Sequence, residues 1–556
     1  MPLEGVVYAN AAAAERFIRD GAWIDRRIDE QLGECCERYG DKTAFVCDDV
    51  TMTFAELGMR SDELARILVE CGLLPGDRAL FQMGTTIETV VSFFACLKAG
   101  VIPVCTIPQY RELEMHKLAD ITRPSAYFVQ SGEGTFDLVQ FAKDVAREKS
   151  IAHVIAFSRP SERQGHHITS YKKSDALTAV TGRLATSGQD VAVLQLSGGS
   201  TGVPKVIPRF HAEYLGHVRQ WCDRYDMQPG DVGIWALPLM HNAGMMFALL
   251  RTVLYGCCTV LVPRWDPEQF LTLIERWKVN HAFTIGPHAP AIASFDGVSR
   301  FDLSTLRFFL TLQGAASIER TTGVATTNMF GITEGLVLTG HPDDPASVRH
   351  ASVGAPSSAF DEIRLLQPGT EDEVADGEVG ELCFRGPSSL RGYFAAPELS
   401  AECLTSDGFF RTADLMRRVQ IDGRTAFVFE GRMRDNINRG GEKFGTEDIE
   451  HLIAQHPDVV DGKVVAMPDP TYGEKACAFI IPKPGRQLIT LAEIARFLIA
   501  KGLAKFKLPE RIEPIDSFPV TRVGKLDRAA LRSIIASRLA DETGQNEETV
   551  SRKEIK

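Results

Sequence analysis

Apolar positions along the chain switch between helical and strand spacing. In residues 56–72 (ELGMRSDELARILVECG) leucine and isoleucine recur at helical intervals, and the run stops at Gly72. The short apolar stretch ALFQM (79–83) reads as a buried strand. Residues 87–99 form another helical pattern, and VIPVCTIP follows as a strand-like run. The alternation continues to about residue 310 through AHVIAF, GIWALPL and TVLVP. It predicts α/β layers with largely parallel sheets.

Near residue 350 the pattern changes. Residues 360–430 hold short strand-like pieces (DEIRLL, EVGELCFRG, TAFVFEG) broken by Gly, Pro and Asp, which predicts a small antiparallel barrel or sheet. RDNINRGGEKFG (434–445) then reads as a polar, glycine-containing crossing. Beyond it the pattern is α+β, with helices TEDIEHLIAQ and LAEIARFLIAKG and strands KVVAMP and KACAFIIP. The expected organisation is a domain over 1–434 with its β-rich part at about 350–430. A smaller domain over 435–540 and a frayed polar tail over 541–556 complete it.

Composition narrows the function classes. The chain has 556 residues, of which 44% are hydrophobic and 24% charged, an ordinary globular balance. A formal net charge of −12 argues against sequence-independent nucleic-acid binding, which needs clustered Lys and Arg. The 12 cysteines include the adjacent pairs Cys35–Cys36 and Cys257–Cys258 but no CxxC spacing, so they read as small buried hydrophobes in a reducing compartment, not zinc ligands. The N-terminus has no basic start ahead of an apolar core. The apolar stretch at 89–105 is broken by Lys98, Gly100 and Pro103, short of the roughly 20 residues of a membrane span. A cytoplasmic protein without membrane partners is expected.

Several motifs carry candidate chemistry. SGGSTGVPK (197–205) follows a strand-like run. Its glycines let successive N–H groups face an anion, Ser197, Ser200 and Thr201 add hydroxyl donors, and Lys205 adds positive charge. The spacing is not that of a Walker loop. In FGITEG (330–335), Glu334 suits a divalent cation, since Mg²⁺ takes one or two carboxylates plus phosphate oxygens. FFRTAD (409–414) places Asp414 to accept from ribose hydroxyls. EGRMRDNINRGGEK (430–443) sits at the expected boundary, and PVTRVGKLDR (519–528) presents Lys525 on a glycine turn. Taken singly these also read as a polar loop, a helix cap, a turn acid, a linker and a surface turn.

In this order and at these distances the motifs resemble the adenylate-forming superfamily of acyl-CoA synthetases, peptide-synthetase adenylation domains and luciferases. LQLSGGSTGVPKVIPRFH, ALPLMHN, FGITEGLV and NRGGEK are similar to the stand-alone aryl-acid AMP ligases, whose typical member activates 2,3-dihydroxybenzoate or salicylate for siderophore assembly. The resemblance implies an α/β fold: a large N-terminal domain of layered sheets with a small β-barrel, and a small mobile α+β C-terminal lid. It implies adenylation of an aromatic carboxylic acid by ATP with Mg²⁺, then transfer to the pantetheine thiol of a separate carrier protein or to coenzyme A.

The resemblance also implies residue roles. Ser197, Gly198, Gly199, Ser200, Thr201, Gly202 and Lys205 would wrap the β- and γ-phosphates, and Thr333 would meet the α-phosphate. Glu334 would hold Mg²⁺. Gly314, Ala315, Ala316, Phe330 and Gly331 would line the nucleotide, with Asp414 and Arg432 on the ribose. Lys525 would bridge the acid's carboxylate and the α-phosphate. Asp435 would be the hinge, and Gly440, Gly441 and Lys443 would border the thiol channel.

His241 and Asn242 match the subgroup's HN pair, with Asn242 as anchor for the acid's carboxylate and ortho-hydroxyl. Beyond it the chain departs from the dihydroxybenzoate pattern. The run is AGMMF, with Ala243 first and Phe247 where those enzymes carry a serine for the 3-hydroxyl; Met329, Thr333 and Val337 would form the other wall. An apolar, shape-tolerant pocket suits a salicylate-like, amino-substituted or bicyclic aryl acid at least as well. Ala413 likewise stands where relatives carry glycine. Two other classes stay open on sequence: a phosphoryl-transfer enzyme releasing ADP, and a non-catalytic nucleotide-binding docking subunit.

Overall fold

Burial follows the apolar periodicity, and polar side chains close the helix ends. The helix Phe54–Glu70 buries Leu57, Leu64 and Leu68 along one stripe. Its start is a reciprocal cap, in which the Glu56 N–H donates to Thr53 Oγ1 at 3.2 Å and the Thr53 N–H to the Glu56 carboxylate at 2.8 Å. The helix Ile87–Ala99 is apolar on nearly every face and correspondingly buried, ending at Gly100 in a left-handed conformation. The structure is a computed structural model that describes residues 2–131, 136–157, 187–197, 204–285, 288–433, 436–483, 489–519 and 526–554.

The chain divides into two compact units. The larger comprises residues 1–110, 115–197 and 205–433; the smaller comprises 434–556 with the short segments 111–114 and 198–204. In the larger unit a six-stranded sheet runs in the order His153–Phe157, Ala126–Gln130, Arg78–Gln82, Ile102–Val104, Val191–Ser197, Lys205–Phe210. All neighbours are parallel except the last pair. A nine-stranded sheet has a parallel centre, from Thr43–Cys47 across to Thr326–Ile332, flanked by antiparallel edges. The expected α/β layering with largely parallel sheets is therefore the architecture observed. Helices cover these sheets because strands buried on both faces leave no polar face for water.

The β-rich part is Glu362–Leu366, Val379–Arg385, Phe410–Ile421 and Arg424–Arg432, paired antiparallel in that order. Among the described residues its outer strands are not paired with each other, so of the barrel or sheet expected here it is the open sheet. Four strands are too few to close around a filled interior, which takes about eight. The smaller unit is a five-stranded sheet with helices Glu447–Ala454, Leu491–Ala500 and Arg528–Glu554. The polar crossing at 434–445 contains a hairpin, Asn436–Arg439 against Glu442–Gly445. The helix Arg528–Glu554 continues into the tail expected over 541–556. Glu, Gln, Arg and Lys are good helix formers and outweigh the single Gly544 there.

The 12 cysteines are all free, and all but Cys36 and Cys71 are buried. No helix among the described residues is long and apolar enough to cross a membrane. Asp361, at the entry to the antiparallel sheet, has both carboxylate oxygens buried with no hydrogen-bond partner among the described residues. Burial, with the charge of Glu213 adding to it, raises its carboxyl from the ordinary 3.8 to about 8.

The folded chain therefore keeps a proton that the unfolded chain releases near pH 4, and stability falls as pH rises from there to about 8. Asp361→Asn should raise the melting temperature more at pH 8 than at pH 5. A variant no more stable than the parent at pH 8 would contradict this placement.

Candidate active site

Several candidate residues of the larger unit lie at the carboxyl ends of parallel strands, where open α/β sheets leave crevices for ligands. Ser197 closes Val191–Ser197, and Lys205 is its direct partner across the antiparallel pair. The glycine motif therefore leaves and re-enters the sheet at one point. Gly198, Gly199, Ser200, Thr201 and Gly202 lie outside the described residues, as do Asp435 and Lys525.

The FGITEG segment runs from the strand Thr326–Ile332 into a tight turn and returns through Leu336–Thr339. Gly335 has φ 116°, and a Cβ there would lie 1.8 Å from the Ser388 carbonyl oxygen, so no other residue fits. The turn is held from outside as well, by the Leu390 N–H donating to the Glu334 carbonyl at 2.8 Å. The Glu334 side chain accepts from Ser197 Oγ at 2.9 Å and from Tyr393 Oη at 3.1 Å, both at Oε1. Lys205 Nζ donates to Tyr393 Oη at 3.3 Å and lies 4.7 Å from the centre of its ring. The strand ends at 197 and 205 and the carboxylate at 334 thus form one connected group. Oε2 of Glu334 takes no part in these bonds. One carboxylate oxygen beside a phosphate-binding motif fits the donor set of Mg²⁺, which is completed by phosphate oxygens and water. The described residues contain no cluster of three or more His, Cys, Asp or Glu that could hold a metal alone.

The residues expected to meet the acid begin at His241. His241 caps a single helical turn, Asn242–Gly244, its Nδ1 accepting from the Ala243 N–H at 3.3 Å. A π-helical stretch, Met245–Leu250, follows; such wide turns recur at functional sites. Asn242, Phe247, Met329, Thr333 and Val337 are all buried, and Ala243 packs against the core that contains Phe247, Met329 and Val337. Phe247, expected to line the acid pocket, stacks on Phe283 with ring centres 5.5 Å apart and packs on Trp221 at 4.6 Å. Its position offers aromatic surface where a serine would offer a hydroxyl.

Arg209, which sequence reasoning passed over, joins the two halves. Its guanidinium is buried, pairs with Glu213, and donates to the Thr333 carbonyl at 3.1 Å and to Asn242 Oδ1 at 3.3 Å. Burial opposes its charge, but the attraction and hydrogen bonds of Glu213 prevail and hold it above the ordinary arginine value. His217 is pushed well below its ordinary value by burial and then by Arg209, so its Nδ1 accepts from the guanidinium at 3.3 Å as a neutral ring. The signal was present in sequence: an arginine inside the apolar run VIPRF, with an acid four residues on, cannot be buried unpaired. Tyr393 gave no comparable signal.

Of the residues expected at the nucleotide, Asp414 and Arg432 are direct partners on adjacent strands, with Nε to Oδ1 at 2.9 Å. Arg432 Nη1 is buried without a partner among the described residues, a donor left for a ligand. Gly314, at φ 81°, caps the helix Ala315–Thr322, and the Ala315 N–H donates to Asn328 Oδ1 at 3.1 Å. Phe330 lies within the core, 5.9 Å from Phe429 between ring centres, and Gly331 pairs with Val337. In the smaller unit Gly440 (φ 62°) and Gly441 (φ 97°) form the hairpin turn, with Lys443 opposite Asn438. Positive φ at both central residues is what a two-residue hairpin requires.

The sequence pattern of the family described as AMP-binding enzyme matches residues 32–394, and that of the AMP-binding enzyme C-terminal domain matches residues 448–525. The chain is 34% identical over 535 residues to a 2,3-dihydroxybenzoate-AMP ligase of Bacillus subtilis, covering 95% of this chain and 97% of the relative. It is 33% identical over 557 residues to a salicylyl-CoA synthase / salicylate adenylyltransferase of a Streptomyces species, covering 96% and 98%. Among solved structures, apo MbtA of Mycobacterium smegmatis superposes with a TM-score of 0.69 at 29% identity, covering 95% of this chain and 98% of that one.

Ala413 has φ 58°, a left-handed conformation that glycine adopts without a steric penalty. For alanine this costs about 1 kcal/mol. Ala413→Gly should therefore raise the melting temperature by on the order of 1 °C and leave nucleotide binding intact. A lower melting temperature would show that the strain is absent.

Proposed function

The chain belongs to the AMP-binding enzyme family, and from that premise we propose that it joins an aromatic carboxylic acid to AMP and passes the acyl group to a thiol. An acid carboxylate oxygen attacks the α-phosphorus of ATP, the bond to the β-phosphate oxygen breaks, and pyrophosphate leaves. A pantetheine thiol then attacks the acyl carbonyl and AMP departs. The acceptor is a carrier protein of natural-product assembly; coenzyme A is the alternative, favoured by the CoA-synthase name of one relative.

One observation carries the reading. A single buried guanidinium holds both the acid-side Asn242 and the backbone of the Thr333–Glu334 turn. An acid bound at Asn242 is thereby registered against a phosphate chain bound along Ser197, Lys205 and Glu334. Both reactants are anionic, so the site must neutralise charge and align them in line. Glu334 would hold Mg²⁺, which when bound would supply part of that neutralisation. Asp414 and the spare donor of Arg432 suit ribose hydroxyls, and Thr333 meets the α-phosphate. Gly314, Ala315 and Ala316 border the adenine. Lys525 brings a further cation to both reacting groups. Asp435 is the hinge that withdraws it before the thiol arrives, and Gly440, Gly441 and Lys443 border the thiol's path.

ATP–pyrophosphate exchange driven by aryl acids tests the activity; release of ADP would replace this reading with phosphoryl transfer. Lys525→Ala should lower exchange by about 10²–10³ or more with ATP affinity little changed, and full-speed exchange would refute its role. Asp435→Pro fixes φ and should spare exchange while slowing thioester formation. Equal losses in the two half-reactions, measured separately, would remove the hinge assignment.

A further inference from the structure

An asparagine amide offers two opposite faces, an oxygen that accepts and an NH₂ that donates, and which face meets a ligand decides what the ligand must bring. At Asn242 the surroundings settle it. Arginine carries only donors, so the amide atom 3.3 Å from Arg209 Nη1 is the oxygen. Tyr214 Oη lies 2.5 Å from the same oxygen. The phenol's own lone pair faces Gln195 Nε2 at 3.5 Å, so its proton goes to Asn242. Both acceptor sites of Oδ1 are then filled. The guanidinium cannot turn away, being tied to Glu213, the Thr333 carbonyl and His217, with its carbon 4.3 Å from the centre of the Tyr214 ring. Reversing the amide would set NH₂ against a guanidinium and a hydroxyl proton with all three buried, at the full cost of unpaired groups. Among the described residues Nδ2 meets only Met246 Sδ, a weak acceptor at 3.9 Å.

We infer that Arg209 and Tyr214 are positioning residues that leave only donors of Asn242 for the substrate, so that the enzyme selects aryl acids whose ortho group accepts a hydrogen bond. The inference rests on the reading of Asn242 as the acid anchor. In salicylate the ortho hydroxyl gives its proton to the neighbouring carboxylate and turns its oxygen lone pairs outward, toward an NH₂. In anthranilate one amine N–H faces the carboxylate and the other points outward, donor against donor. Benzoate offers nothing at that position. The pair therefore excludes the ortho-amino acids that pocket polarity alone would admit.

The test is pyrophosphate exchange on the full-length protein with salicylate, benzoate and anthranilate. In the parent enzyme salicylate should have the lowest KM, with anthranilate no better than benzoate. Tyr214→Phe should raise the salicylate KM about five- to tenfold and the benzoate KM by clearly less, since benzoate keeps only the carboxylate contact, while the KM for ATP stays within about twofold. Arg209→Lys, which keeps a charge opposite Glu213 but loses the fork, should compress the salicylate-to-benzoate ratio in the same way. A merely structural role predicts parallel losses for both acids, and that result would overturn the inference, as would a parent enzyme preferring anthranilate. The parent ranking needs no variant to fold. Exchange with no aryl acid at all would sink the proposed activity and this inference with it; intact exchange with an unchanged ratio in Tyr214→Phe would sink the inference alone.

Discussion

A buried guanidinium that must be satisfied on every side organises the centre of the larger unit. Removing one partner of such a pair leaves an uncompensated charge, at a cost of about 3–5 kcal/mol. Arg209 is therefore committed to Glu213, His217, Asn242 and the Thr333 carbonyl together. Those partners come from a helix, a short capped turn and a strand-to-strand turn, so the arginine sets the relative position of three elements. The acid-side and phosphate-side groups then cannot drift independently. That coupling is what a reaction between two anions requires, because its barrier is lowered by prior alignment more than by proton chemistry.

The turn at 333–335 shows how backbone sterics serve the same end. Gly335 has no room for a side chain against Ser388. Glu334 is thereby aimed at Ser197 and Tyr393, which both donate to its Oε1. A comparable constraint at Ala413 is met less well: the left-handed conformation persists with an alanine in it. Asp414 is kept in place next to it by its ion pair with Arg432 and by its N–H donating to Thr412 Oγ1 at 3.0 Å. The geometry of the Asp414–Arg432 pair is thus retained at a small cost in strain.

The acid side carries the clearest departure from the dihydroxybenzoate pattern. Phe247 lies in an aromatic stack with Phe283 and Trp221, and Met246 contacts the amide nitrogen of Asn242. Beside them the amide of Asn242 is held in one orientation by Arg209 and Tyr214. Apolar walls tolerate differences in ring shape, whereas a fixed donor does not tolerate a donor opposite it.

The sequence by itself determined the local elements and the inventory of chemistry. The helices at 54–70 and 87–99, the strands of the parallel sheets and the motif residues follow from periodicity, capping and turn chemistry, all of which act over a few positions. It left open what depends on distant partners, such as whether the β-rich part at about 350–430 closes into a barrel or stays an open sheet. Only the tertiary structure decided which side chains meet. Ser197 and Glu334 are 137 positions apart, and Arg209 and Thr333 are 124 apart. No local rule links residues at such separations. They are brought together because burial of the sheets places the strand ends side by side, and because a charge enclosed there must find partners wherever the chain supplies them.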